Sequence, residues 1–186
     1  KSGKFREEDF NRLSEAFGVL AEAPFYIDDT PALSVLEMRT KARRLKAEHN
    51  VQLLIVDYLQ LARSRNLENR VQEVSEISQG LKNLARELKV PVMALSQLSR
   101  AVEHRGTKKP QLADLRESGA IEQDADVVMF LYRENDDDQE NVFLDIQKHR
   151  NGPLRRINLY FKGDRIRFYG VERKETPSGV QPHPPV

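Results

Sequence analysis

Asp57 closes a run of aliphatic residues, Leu53-Leu54-Ile55-Val56. An acid placed there can hold a magnesium ion, usually through water, beside nucleotide phosphates, which is the Walker B arrangement. An ordinary strand-end aspartate has the same spelling. Gln97 follows a second apolar run, Val92-Met93-Ala94-Leu95, and its amide offers both a donor and an acceptor to a γ-phosphate or a water. It could equally satisfy loop backbone groups. Lys148-His149-Arg150 ends another run just before an Asn151-Gly152 turn. The two-residue strand period puts Lys148 and Arg150 on one face, and two cations aimed at one point suit a phosphate group. The plainer alternative is a hairpin end with solubilising charges.

A further candidate lies between Leu98 and Asp124. Its bases are Arg100, Arg105, Lys108 and Lys109, and they lead into Arg116-Glu117-Ser118-Gly119-Ala120. A small, glycine-containing start to a helical turn leaves backbone N–H groups free for a phosphate. With basic and small residues and no aromatic for stacking, the segment reads as a loop that tracks a nucleic-acid backbone, or else as a mobile surface loop.

Such residues need elements to carry them. Phe10, Leu13, Phe17 and Leu20 form one apolar face of a helix ending before Pro24, and Phe25-Tyr26-Ile27 then reads as a strand closed by Asp28-Asp29. Ser34 and Glu37 have capping-box spacing, and Val35, Met38, Ala42 and Leu45 form the buried stripe of the helix they open. The outer face of that helix is basic: Arg39, Lys41, Arg43, Arg44 and Lys46. The run ending at Asp57 lacks alternation, as in a strand covered on both faces of a parallel sheet. After a polar segment, 63–70, a helix is expected over about 71–88 on Val71, Val74, Ile77, Leu81, Leu84, Ala85 and Leu88, stopped by Pro91. Asp126 to Tyr132 is another buried strand. Strand, helix, strand, helix, strand implies an α/β sheet with right-handed crossovers, and ligands gather at the carboxyl ends of such strands. From Val142 to Tyr169 the pattern becomes an antiparallel β-meander, with turns at Asn151-Gly152 and Lys162-Gly163-Asp164. Residues 172–186, polar and proline-rich, read as a flexible tail.

Composition excludes several classes. The 186 residues contain no Cys and no apolar run near the roughly 18 residues of a membrane span, which removes disulfide frameworks, thiol enzymes, Cys-ligated zinc and helical membrane proteins. The histidines His49, His104, His149 and His183 have no metal-ligand spacing, and the acidic run from Glu134 to Glu140 lacks the glycine of a calcium loop and reads as a solvated hairpin. The net charge of +1 hides segregation: residues 111–147 carry eleven acids and two bases, whereas 147–174 carry nine bases and two acids. A local phosphate-facing surface is compatible with that total. Lys1 is neither an initiator Met nor the start of a signal peptide, so the chain is expected to be part of something longer.

Together the segments Tyr-Ile-Asp-Asp-Thr-Pro (26–31), Leu-Leu-Ile-Val-Asp-Tyr-Leu-Gln-Leu (53–61), Ala-Leu-Ser-Gln-Leu-Ser-Arg (94–100), Asp-Leu-Arg-Glu-Ser-Gly-Ala-Ile-Glu-Gln-Asp-Ala-Asp (114–126) and Lys-His-Arg-Asn-Gly-Pro (148–153) closely resemble the ATPase domain of the DnaB-family replicative DNA helicases. These are hexameric RecA-like motors, and the likeness runs from about residue 5 to 170 in family order. It implies an α/β, RecA-like fold with a mostly parallel sheet flanked by helices and a C-terminal antiparallel meander. It also implies ATP and Mg²⁺ as cofactors, and as partners single-stranded DNA, the other subunits of a homo-hexamer, a primase and a helicase loader. The expected setting is the cytoplasm, at the bacterial nucleoid and replisome.

Carried over residue by residue, the resemblance makes Asp57 the magnesium-coordinating acid and Gln97 the link between nucleotide state and the DNA-binding loops. Lys148 and Arg150 become fingers on the γ-phosphate held by the adjacent subunit, and Arg116, Glu117 and Gly119 contacts to the single-stranded DNA backbone. A finger supplied in trans completes the site only at a subunit interface, so ring and catalysis become one requirement. The departure is that no Gly-x-x-x-x-Gly-Lys-[Ser/Thr] phosphate loop occurs, Lys1-Ser-Gly-Lys4 lacking both the length and the hydroxyl. Residues 1–171 are therefore expected to be a partial helicase ATPase domain from Walker B onward, without hydrolytic activity by itself. The alternatives are a RecA-type recombinase or other RecA-like ATPase, or a non-catalytic DNA-binding and oligomerisation module.

Overall fold

In the computed structural model, which describes residues 6–62, 70–99, 102, 105 and 108–171, the chain forms two units, Lys1–Gln97 and Leu98–Val186. The expected tail, 172–186, and nearly all of the polar segment 63–70 lie outside the described residues.

In the first unit, α1 (Glu7–Glu22) opens where the Asp9 carboxylate accepts from the Arg6 backbone N–H at 3.0 Å, and it ends before Pro24. Its apolar residues share a face as expected, and that face is exposed. Phe25-Tyr26-Ile27 does not form the expected strand. The backbone runs on without a ladder partner among the described residues, with Phe25 and Ile27 exposed and Tyr26 stacked on His49 at 4.5 Å. An apolar triplet specifies an extended backbone, but a strand also needs a neighbour to take its hydrogen bonds.

Helix α2 (Val35–His49) begins with the expected capping box: the Glu37 N–H donates to Ser34 Oγ at 3.3 Å and the Ser34 N–H to Glu37 Oε2 at 2.8 Å. The Ser34 hydroxyl, at 2.7 Å, and the Ser34 N–H both donate to the Glu37 carboxylate and hold it below its ordinary range. The basic outer face is neutralised within the unit. Arg43 and Arg39 converge on Glu87, depressing its pKa, and Lys41 pairs with Asp28 at 2.6 Å. The Lys41 bond, aided by Thr30, brings Asp28 down to about 2.

Helix α3 (Arg70–Leu88) buries Val74, Ile77, Leu81 and Leu84 of the expected stripe, with Ala85 and Leu88 half-buried and Val71, at its start, exposed. Gly80 sits where α3 meets α2: a Cβ there would collide with the Val35 side chain, so a residue that weakens a helix interior is retained for close approach. The helix stops as Lys89 turns left-handed (φ 53°) ahead of Pro91.

Strands β1 (Leu54–Val56) and β2 (Val92–Ala94) pair in parallel, Leu54 opposite Val92 and Val56 opposite Ala94. The expectation that β1 is covered on both faces fails among the described residues, since Leu53 and Ile55 are 47% and 55% exposed. The third apolar run also takes a different place: β3 (Val127–Tyr132) joins an antiparallel sheet instead of extending the parallel pair. That sheet, in the second unit, runs in chain order through β4 (Asn141–His149), β5 (Arg155–Lys162) and β6 (Arg167–Gly170), which is the expected meander.

In β3, Val128, Phe130 and Tyr132 are buried while Val127, Met129 and Leu131 are exposed, the alternation of a one-sided antiparallel sheet. The buried set packs with Leu115, Leu98, Leu112, Ile121, Ala125 and Phe143. The β3–β4 connection carries the acidic run, held as expected by local turns: Asn135 accepts from the Asp137 N–H, and Asp138 from the Glu140 and Asn141 N–H groups. Arg156 lies over the Phe143 ring at 3.8 Å and pairs with Glu134.

Candidate functional site

The end of the parallel pair is tied together by backbone and one side chain. The Leu95 N–H donates to Val56 O and the Leu59 N–H to Leu95 O, each at 2.9 Å, so the chain that leaves β1 stays bonded to β2. Leu59 is buried and anchors a 3-10 turn, Leu59–Leu61. Within that turn Gln60 reaches across: its amide donates to Ser96 Oγ at 3.0 Å and to Gln97 O at 3.4 Å, and its oxygen accepts from the Gln97 N–H at 3.3 Å. Asp57 precedes this clasp, joined to Tyr58 by a cis peptide bond. Asp57 and Gln97 are both exposed, and among the described residues no hydrogen bond or ion pair engages either side chain's polar atoms. The structure thus brings Asp57 and Gln97 to the ends of adjacent strands, as the sequence suggested. Gln60 was not anticipated. Its signal was available, a glutamine in the short segment after the apolar run that ends at Asp57, but its pairing depends on the β1–β2 register.

Lys148 and Arg150 belong to the second unit. β4 ends at His149, and a bulge precedes it: Val128 pairs with Lys148 but Met129 with Ile146, leaving Gln147 as the extra residue. Gln147 uses its freedom to donate to Pro110 O at 2.6 Å. Lys148 donates to the carbonyl oxygens of Glu122 and Gln123, and Arg150 pairs with Asp126 at 3.1 Å. The two cations thus hold different groups, Lys148 backbone carbonyls and Arg150 a carboxylate, within the one stretch 122–126. The turn beyond them is tight, for the His149 ring occupies the space that a Cβ at Gly152 would need.

The segment expected to meet DNA is a 3-10 stretch, Leu112–Ser118, followed by α4 (Gly119–Asp124). Its base is fixed by Asp114, a buried carboxylate that accepts the Gln111 N–H at 2.7 Å and both terminal nitrogens of Arg105. Gly119 is exposed, with open space where a Cβ would stand. The side chains of Arg116 and Glu117 lie outside the described residues, as does Arg100. Three of the loop's expected phosphate-facing bases hold carboxylates instead: Arg105 on Asp114, Lys108 on Asp136 and Lys109 on Asp145 at 3.0 Å. Charge counting alone could not separate bases that brace the loop from bases left for a ligand.

The model of the DnaB-like helicase C terminal domain matches residues 1–170. The chain belongs to this family. Among DnaB-like relatives, Replicative DNA helicase DnaB of Rickettsia typhi is 49% identical over 197 residues, covering 94% of this chain and 40% of the relative. Replicative DNA helicase DnaC of Bacillus subtilis is 49% identical, covering 98% of this chain and 42% of the relative. The chain thus spans about two fifths of the length of these DnaB-like proteins. Among solved structures, a helicase ATPase domain superposes with a TM-score of 0.85 at 40% identity, covering 91% of this chain and 62% of that one. A DnaB-like replicative helicase, described with its interactions with primase, gives 0.84 at 39%, covering 91% of this chain and 42% of that one. These neighbours establish the RecA-like helicase ATPase fold, with the parallel pair, the helices and the C-terminal antiparallel sheet as its local parts.

Proposed function

We propose that this protein works as a replicative DNA helicase, coupling ATP hydrolysis to movement along single-stranded DNA and to unwinding of the duplex. The observation that carries the reading is an exposed strand-end carboxylate, Asp57, which takes no hydrogen bond or ion pair among the described residues and stands on the strand next to the one leading to Gln97, in a chain that matches the helicase family over residues 1–170. Relatives named as replicative helicases favour it over a recombinase.

Magnesium fits Asp57. Among the described residues no cluster of His, Asp or Glu side chains could hold a metal by itself. A lone carboxylate, with phosphate oxygens and water completing the shell, is the usual protein share of a Mg²⁺ site. When bound, the ion neutralises charge on the phosphates. Asp57 orients it, and Gln97, its backbone held by Gln60, presents an amide to the γ-phosphate or to water. Lys148 and Arg150 act in trans on the neighbouring subunit's γ-phosphate, and Arg116, Glu117 and Gly119 follow the DNA backbone. The active form is a homo-hexamer working in the cytoplasm with a primase and a loader. Since the phosphate loop is missing from the 186 residues, they hydrolyse nothing alone. Among the described residues no helix is long and apolar enough to cross a membrane.

The test is Arg150→Ala in the full-length protein. Hydrolysis should fall by roughly 10³ to 10⁵, as for loss of an arginine finger. Turnover close to that of the unmodified enzyme refutes the assignment.

A further inference from the structure

Lys148 and Arg150 both have partners within their own chain, and those partners lie on one short stretch. The Lys148 ammonium meets the carbonyl oxygens of Glu122 and, at 3.4 Å, Gln123, in the last turn of α4, where a cation complements the negative end of a helix. The Arg150 guanidinium pairs with the Asp126 carboxylate at 3.1 Å, and the Arg150 backbone N–H donates to the Asp126 carbonyl at 2.8 Å. At its other end α4 starts at Gly119, directly after the 3-10 stretch that carries Arg116 and Glu117. One short helix therefore has the two cations at its C-terminal end and the proposed DNA contacts at its N-terminal end.

The strength of these contacts limits what they can do. The Arg150 and Asp126 side chains are 52% and 55% exposed, the regime in which an ion pair adds little and is readily exchanged. A γ-phosphate carries more charge than one carboxylate and accepts a guanidinium through two oxygens, so it outcompetes Asp126. Likewise it offers the Lys148 ammonium a full charge in place of carbonyl dipoles.

We infer that residues 122–126 are a latch that Lys148 and Arg150 hold while no phosphate is within reach, with Asp126 as the residue that positions Arg150. Moving both cations to a neighbouring subunit's nucleotide then frees the end of α4 next to the DNA-contacting stretch. The inference rests on the finger reading above. Linkage makes it reciprocal: DNA that displaces α4 makes the cations more available to phosphate.

Full-length protein carrying Asp126→Asn tests it, with steady-state hydrolysis measured with and without an oligothymidylate. Removing the competing charge should lower the KM for ATP without DNA by up to about fivefold, the span of an exposed pair. The stimulation of kcat/KM by DNA should shrink by the same factor, and Asp126→Glu should restore both. A KM and stimulation factor equal to those of the unmodified protein, or a raised KM, overturns the latch. Should Asp126→Asn fail to fold, amide exchange over residues 119–125 of the unmodified protein decides: faster exchange on adding a non-hydrolysable ATP analogue supports the latch, and unchanged exchange overturns it. Arg150→Ala separates the two levels. If that variant is crippled while Asp126→Asn behaves as unmodified, the latch alone falls; if Arg150→Ala is active, the finger reading falls and the latch with it.

Discussion

Asp57 and Gln97 stand at the ends of β1 and β2 with the polar atoms of their side chains unbonded among the described residues, whereas Lys148 and Arg150, at the end of β4, are already bonded to residues 122–126. The contrast follows from surroundings. The first unit spends its mobile charges on the outer face of α2, through Glu87 and Asp28, and leaves its strand ends to water. The second places its cations beside an acid and the carbonyl end of a helix, and a cation rarely stays single there. Residues of the first kind should be separable from stability; residues of the second kind should not.

The sharpest break between the two would come from Arg150→Ala, whose expected loss of turnover, roughly 10³ to 10⁵, exceeds every other effect. Next, the cores should behave alike even though the sites differ. Phe130→Ala in the second unit should destabilise by about 3–5 kcal/mol, and Ile77→Ala in the first by about 2–5 kcal/mol, in denaturant titrations of the full-length protein, because both side chains are almost completely buried. Asp57→Asn should reduce hydrolysis by about 10- to 100-fold, as for an acid that acts on a metal through water. It should leave the unfolding free energy within about 0.5 kcal/mol, as befits an exposed side chain whose polar atoms have no partner among the described residues. Lys148→Met should instead lower stability by about 0.3–1 kcal/mol, the value of a cation at a helix C-terminus, in addition to its effect on turnover. If Asp57→Asn destabilised and Lys148→Met did not, the contrast would be reversed.

The smallest effect concerns pH. Asp28, held at about 2 by Lys41 and Thr30, against an ordinary value of 3.8, binds its proton less readily folded than unfolded. Its contribution to stability is complete above the unfolded value and fades as pH falls from about 4 toward 2. Lys41→Met should move the Asp28 carboxyl resonance midpoint upward in a pH series recorded by NMR; an unmoved midpoint would leave Lys41 without that role.

Much of this was legible in the sequence because it is local. The Ser34–Glu37 box, the α3 stripe and the acidic hairpin each involve residues a few positions apart. The strand-end positions of Asp57 and Gln97 were legible too, since an apolar run has a visible end. What an apolar run lacks is a visible partner. Phe25-Tyr26-Ile27 and Val127–Tyr132 look equally strand-like, yet one pairs with nothing described and the other chooses an antiparallel neighbour. Gln60, Asp126 and the Arg105–Asp114 pair were missed for the same reason, because each acts through a contact that exists only once register and loop path are set. Gly80 and Gly152 likewise owe their places to side chains lying against them, Val35 and the His149 ring.

The second of those glycines sets a rule for how this segment can vary. With the His149 ring filling the volume above residue 152, the two positions must change together. A library randomised at both and selected for growth should return glycine at 152 wherever a large ring stays at 149, and should admit alanine only alongside a smaller neighbour. Arg150 lies between the two, so its aim is inherited as a property of the pair.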